Sequence, residues 1–227
     1  TTQSAAGIKF LNTGYKITGG AIHLDNDFTI SGTAGKSLTV ESILQGTGGL
    51  TISSINSGSN TIVNLTALNT FSGSSTINSD TRINCSVIAD GGQASCIGQS
   101  SAEATNLILN GGTLSYTGST AASTNRLFTL TELGGRIYSS GTTGTSLSFN
   151  NPGFLVISGA GNRTLEIGGL TNTTNYFSPT IADPVSGTTA LNKTGINSRW
   201  ILLGNNTYTG GTTITAGVLQ IGNGGTT

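Results

Sequence analysis

Few side chains in this chain could do chemistry, and their spacing limits what they could do together. Asp25 and Asp27 lie two apart, so on an extended strand both would point to one side. Carboxylates that bind calcium, or that work as acid and base on a polysaccharide, need such a shared face. Asn26 between them and Phe28 after them fit a solvated turn better, and Glu41, Asp80, Asp90, Glu103, Glu132, Glu166 and Asp183 are scattered singly. His23, the one histidine, sits in the alternating run Ala21–Leu24, with Ile22 and Leu24 on the opposite face and His23 expected outward. A catalytic histidine needs a nucleophile and an orienting acid, and the sequence nominates neither. No cofactor is nominated either. Two cysteines and one histidine cannot complete a tetrahedral zinc set.

Cys85 and Cys96 lie close together in the chain. They read either as two small buried hydrophobes or as a local disulfide in an oxidising exterior. Gly46-Thr47-Gly48-Gly49 and Gly222-Asn223-Gly224-Gly225 lack the Lys-Ser/Thr and the helix of a phosphate cradle, and read as turns. Trp200 with Tyr208, Tyr176 and Phe177 could form an aromatic platform for a sugar, with Trp200 and Tyr208 as ligand contacts. The other reading places Trp200 in the core, before Ile201-Leu202-Leu203.

The elements that would position these residues are strands. Charged residues are only 8% of the 227-residue chain, far below an average soluble protein, while 35 residues are glycine. No run of about 18 apolar residues offers a membrane span, so the polar surface must come from Thr, Ser and Asn, and Thr favours extended backbone. Regular apolar triplets such as Leu107-Ile108-Leu109 argue against disorder. The lysines and arginines are dispersed and the formal net charge is zero, which argues against nucleic acid and anionic membrane as partners.

Strand-like runs alternate with turn tokens along the whole chain: Ile8–Phe10, Tyr15–Ile17, Ala21–Leu24, Phe28–Ile30, Ser37–Val40, Leu50–Ile52 and Thr61–Val63, then Asn106–Tyr116, Arg136–Tyr138, Leu147–Phe149, Phe154–Ile157 and Thr164–Ile167, and finally Arg199–Leu203, Thr212–Thr215 and Val218–Ile221. No helical periodicity survives the glycines between them. The weakly patterned stretch 171–189, with Pro179 and Pro184, is expected as a loop excursion. An internal repeat is visible: Asn69-Thr70-Phe71-Ser72-Gly73-Ser74-Ser75-Thr76-Ile77 aligns with Asn206-Thr207-Tyr208-Thr209-Gly210-Gly211-Thr212-Thr213-Ile214, and the first copy departs from the pattern beyond Ser79. Degenerate copies thus fall near 65–117 and 191–227.

The segment Asn205–Gly225, with its motif residues Asn206, Thr207, Tyr208, Gly210, Gly211, Thr212, Thr213 and Gly217, resembles the passenger-associated repeat of bacterial autotransporters. The block N-L-I-L-N-G-G-T-L-S-Y at Asn106–Tyr116 is similar to another block of the same family. The resemblance covers most of the chain. It implies an all-β fold, a right-handed single-stranded parallel β-helix, as one continuous segment over 1–227. It also implies secretion to a bacterial cell surface, with outer-membrane anchoring through a region outside these residues. At roughly 20–25 residues per turn, about ten turns would make a rod near 50 Å long. The chain starts at Thr1 without a leader and ends mid-pattern, and is read as a fragment of a longer secreted protein.

The function expected from this is structural or adhesive and non-enzymatic: a passenger or stalk making many weak contacts with cell surfaces, glycans or copies of itself. No metal, nucleic acid or membrane insertion of this segment is expected. One alternative is a carbohydrate-active β-helix enzyme, a polysaccharide lyase or hydrolase. Another is a self-assembling surface fibre subunit that stacks end to end as a homo-oligomer.

Overall fold

The computed structural model describes residues 2–4 and 6–223. Every paired strand among them runs parallel to its neighbour, and the strands stack into the faces of a parallel β-helix. Successive turns of the chain return strands to the same faces, so the crossover that parallel strands require is the next arc of the coil. The long face has nine strands, where about ten turns are expected. It comprises Tyr15–Ile17, Ser37–Val40, Thr61–Leu65, Thr81–Cys85, Thr113–Tyr116, Gly135–Ser139, Arg163–Gly169, Thr189–Lys193 and Thr212–Ile214. The second face has seven, from Gly7–Phe10 to Val156–Ile157. The third face is split: three strands end with Ile43–Gly46, and five more begin at Ala122–Thr124.

Alternation sends every second side chain inward, and register stacks these into ladders. On the second face Ile8, Ile30, Ile52, Ile77, Leu109, Leu130 and Ile157 lie one above another. On the long face the column is Leu38, Val63, Ile83, Leu114, Ile137, Ile167, Lys193 and Ile214. Phe128, Phe149 and Phe177 pack as an aromatic cluster with ring centroids 5.8–6.1 Å apart. Burying each large apolar side chain contributes about 1.5–3 kcal/mol, and a coil with few ion pairs draws its stability from these ladders.

Corners are set by backbone that few residues tolerate. Asp80 has φ 57° and is the only non-glycine with positive φ among the described residues. In the repeat alignment it stands where the final copy has Gly217, at φ 76°. Gly169, at φ 130°, passes so close to the Ser139 carbonyl that a Cβ there would collide with it.

Several expectations change. The stretch 171–189 is not wholly a loop excursion: Thr174–Phe177 is a strand of the third face, paired with Leu147–Phe149 and Arg199–Leu202. Its inward residue is Asn175, fully buried, which accepts the Leu147 N–H at 2.8 Å and donates to the Arg199 carbonyl at 3.0 Å. Phe154 is exposed, and only Val156–Ile157 of that expected run is a strand. The two repeat copies share local geometry but not a face. Asn69 accepts the Leu44 N–H at 2.8 Å as Asn206 accepts that of Ile181 at 2.9 Å. Yet Ser75–Asn78 belongs to the second face and Thr212–Ile214 to the long one.

The gap in the third face holds the segment between Cys85 and Leu107. Cys85 and Cys96 are disulfide-bonded, with Cα atoms 5.5 Å apart. Arg126, fully buried, reaches into this segment and donates to the carbonyls of Ala89 and Gly98 and to Ser100 Oγ at 3.0–3.2 Å. Burial works against its charge and Asp90 supports it. The isolated antiparallel bridge between Asn69 and Ser95 closes the coil here.

Lys193 interrupts the aliphatic column with a buried ammonium. It donates to Ser198 Oγ at 2.8 Å and to the carbonyls of Thr194 and Ala216 at 2.5 and 3.1 Å, with no carboxylate partner. Desolvation therefore lowers its pKa from 10.5 to about 8. Below about pH 8 the ammonium is charged in both folded and unfolded chains and its burial cost is fully present. Between about 8 and 10.5 only the unfolded chain keeps the proton, so stability rises with pH there. Thermal melts of the parent should gain on those of Lys193→Gln across this window, and parallel curves would refute the assignment. Replacing both cysteines by serine should cost about 2–3 kcal/mol in denaturant unfolding, from the freed loop entropy.

Candidate functional site

The outward side chains of the long face form two polar columns. One runs Asn64, Asn84, Ser115, Tyr138, Gly168; the other runs Arg82, Thr113, Arg136, Glu166, Asn192. Where the small residues Thr113 and Ser115 lie between Arg82 and Asn84 on one strand and Arg136 and Tyr138 on another, the surface sinks. A cleft of about 390 Å³ opens there, lined by Arg82, Asn84, Ser115, Tyr138, Ser140 and Leu170 among others. It runs along the coil axis across five successive strands, about 19 Å at the strand spacing.

One wall is organised around Glu166. Its carboxylate accepts from the Tyr138 hydroxyl, from Thr194 Oγ1 at 3.0 Å and from Asn192 Nδ2 at 3.3 Å, with Arg136 Nε 3.9 Å away. Partial burial, followed by the hydrogen bond and the negative charge of Glu166, pushes the Tyr138 phenol up to about 12, so it stays a donor at any physiological pH. The Arg82 guanidinium lies over the Tyr138 ring, 5.5 Å from its centroid, in cation–π geometry. Leu170, 79% exposed, supplies an apolar rim.

The floor differs from the wall in having unmet hydrogen-bonding capacity. Arg82 Nε, Thr113 Oγ1 and Ser115 Oγ are shielded from solvent yet have no partner within the protein. Buried polar groups are nearly always paired; Arg82 and Ser115 line the cleft, and the unpaired atoms of these two residues point to a polar guest. A second cleft beside the disulfide segment, lined by Val87, Ala89, Gln93 and Ala122 among others, has no such unpaired atom.

The residues singled out from the sequence fall elsewhere. His23 is half-buried, and its Nδ1 lies 2.7 Å from Asp25 Oδ1. Asp27 accepts the Gly49 N–H at 3.2 Å. Asp25 thus pairs with His23, while Asp27 caps a backbone N–H of the next turn. Among the described residues no three His, Cys, Asp or Glu side chains converge on a metal position. The aromatic platform does not form. Trp200 is fully buried and donates Nε1–H to the Gly168 carbonyl at 3.0 Å, and Phe177 lies in the core, while Tyr176 is exposed. Trp200 is thus a core residue and not a ligand contact, because indole burial with its one donor satisfied leaves nothing to offer a ligand. Tyr208 packs partly against the core, with its hydroxyl 2.7 Å from Thr212 Oγ1.

The repeat residues do backbone work. The Thr207 N–H donates to the Ile181 carbonyl at 2.9 Å and that of Gly210 to Thr189 at 2.9 Å, while the Gly211 carbonyl accepts from Leu191. Thr212 and Thr213 stand in register with Leu191 and Asn192. Gly217 lies where a Cβ would come within 2.7 Å of the Lys193 ammonium. Asp183 binds the N–H of Thr189 and the hydroxyl and N–H of Thr209, which lowers its pKa. Of the Gly222–Gly225 turn, Gly224 and Gly225 lie outside the described residues; Gly46–Gly49 is a tight corner, with Gly48 against the Asn26 carbonyl.

Arg82, Ser115, Tyr138 and Glu166 escaped the sequence reading as a group. An alkaline titration followed by tyrosinate absorbance tests their coupling. The component lost in Tyr138→Phe should centre near pH 12 in the parent and move to lower pH in Glu166→Gln. A component unmoved by Glu166→Gln would break the link.

Residues 191–221 match the passenger-associated-transport-repeat family. The chain is also similar to the adhesin BmaC autotransporter of Brucella suis biovar 1 (strain 1330), 38% identical over 141 residues, which is 62% of this chain and 4% of the adhesin. It therefore spans a small fraction of that relative's length. No solved structure matches the chain significantly. The chain thus carries a passenger-associated transport repeat on a parallel coil and is similar over 141 residues to an autotransporter adhesin.

Proposed function

We propose that this chain is a stalk and adhesive segment of a bacterial surface passenger, acting through repeated weak contacts without catalysis. The passenger-associated transport repeat and the similarity to an autotransporter adhesin support secretion to the bacterial cell surface. No helix among the described residues is long and apolar enough to cross a membrane, which says nothing of a β-barrel elsewhere.

The observation that carries the reading is the outward surface of the long face. Uncharged Asn64, Asn84, Thr113, Ser115 and Asn192 stand there on successive turns, interspersed with Arg82, Arg136, Tyr138 and Glu166 and held by ladders beneath them. Contacts repeated along a stiff rod add by avidity, and no deep enclosed pocket is needed. The similar protein is named an adhesin, which supports the adhesive half of the proposal.

Beads coated with the purified chain should adhere to epithelial-cell or extracellular-matrix layers with a steep dependence on coating density, while the soluble chain binds weakly. Absence of adhesion at every density would leave a spacer and overturn the adhesive reading. Release of unsaturated or reducing ends from polysaccharides would overturn the non-enzymatic one.

A further inference from the structure

The cleft on the long face presents a cation free of any carboxylate. Among the described residues the ion pairs are Lys16–Glu41, His23–Asp25 and Arg136–Glu166. Arg82 belongs to none of them: it makes no hydrogen bond there, its Nε is shielded and unpartnered, and its guanidinium is held in place by the Tyr138 ring. A planar cation fixed by stacking keeps its forked donors ready for a carboxylate. Glu166, the acid nearest the cleft, is already taken by Tyr138, Thr194, Asn192 and Arg136.

The second observation is independent of charge. Ser115 is fully buried by the side chains around it, lines the cleft, and its Oγ has no partner. Thr117, Ser140 and Thr194 line the same cleft on neighbouring strands. The Thr117 and Ser140 hydroxyls lie one strand spacing apart, close to the length of one pyranose in an extended chain, and Gly169 and Leu170 stand between them and Thr194. The face of a sugar ring carries C–H groups, which suit the exposed Leu170 on the rim. A peptide is a poorer fit. Peptides on sheets gain affinity through main-chain bonds to a free edge, and every strand bounding this cleft already pairs on both sides.

We propose that this cleft is a binding site for an acidic glycan, an extended saccharide chain whose carboxylate pairs with Arg82 while its hydroxyls engage Asn84, Ser115 and Ser140. The site deepens the adhesive reading by naming a ligand class for one stretch of the rod, and rests on it only in placing that ligand outside the cell.

The test is calorimetric titration of the 227-residue chain with hexagalacturonate and with a sialylated oligosaccharide, which separate uronic from sialic acids as the carboxylate source. Carboxyl-reduced hexagalacturonate and hexaglutamate serve as the neutral and peptide counterparts. At least one acidic saccharide should bind, and at least tenfold more weakly in Arg82→Gln and after carboxyl reduction, with salt weakening the interaction. Ser140→Trp, which fills the cleft from the rim, should abolish binding with an unchanged circular dichroism spectrum and melting temperature. Failure of both acidic saccharides, equal binding of the reduced sugar, indifference to both substitutions, or equal binding of hexaglutamate would each overturn the proposal. Bead adhesion measured on the same variants separates the two readings. Adhesion retained by Arg82→Gln with oligosaccharide binding lost would leave adhesion standing and place it elsewhere. Oligosaccharide binding by a chain whose beads never adhere would keep the site and sink the adhesive role.

Discussion

Parallel strands hydrogen-bond at one spacing, and each turn of this chain must come back to that spacing over the turn before it. The requirement falls on backbone, not on side chains, so it tolerates much variation in what the faces display. It is strict about corners, where the chain must bend within a few residues and still return its N–H and C=O groups to the ladder. Asp80, Gly169 and Gly217 sit at such corners, and Asn69, Asn175 and Asn206 supply side-chain carbonyls to N–H groups of the preceding turn. The ladders, the sunken cleft and the buried cations all follow once those corners hold.

Much of this was legible in the sequence because alternation and turn residues are local. Tyr15–Ile17, Ala21–Leu24, Ser37–Val40 and Leu147–Phe149 have the bounds that alternation gives them. Thr174–Phe177 was hidden because its inward residue is Asn175, whose burial depends on bonds to Leu147 and Arg199 in other turns. Hydropathy cannot register an inward amide of this kind. The inward Lys193 defeats the pattern in the same way.

The cleft was hidden for another reason. Arg82, Asn84, Ser115 and Tyr138 become neighbours only through register, and the two arcs between their strands differ in length because the first carries the disulfide segment. No fixed period in the sequence brings those four positions together. Small residues in the middle of the column lower the floor, and small residues in a Thr/Ser-rich chain attract no notice. Two arginines and an acid spread over many turns look like dispersed charge until the coil stacks them.

The two repeat copies occupy different faces of the coil while keeping the same local hydrogen bonds. The motif is therefore a bend, indifferent to the compass direction in which it bends. Gain or loss of one such bend during evolution would turn every later strand by one face while leaving the interior ladders intact. A rod of this kind can rotate its outward chemistry about its own axis without redesigning its core, and a clutch of residues like that around Arg82 could be carried from a hidden side to an exposed one in a single genetic step.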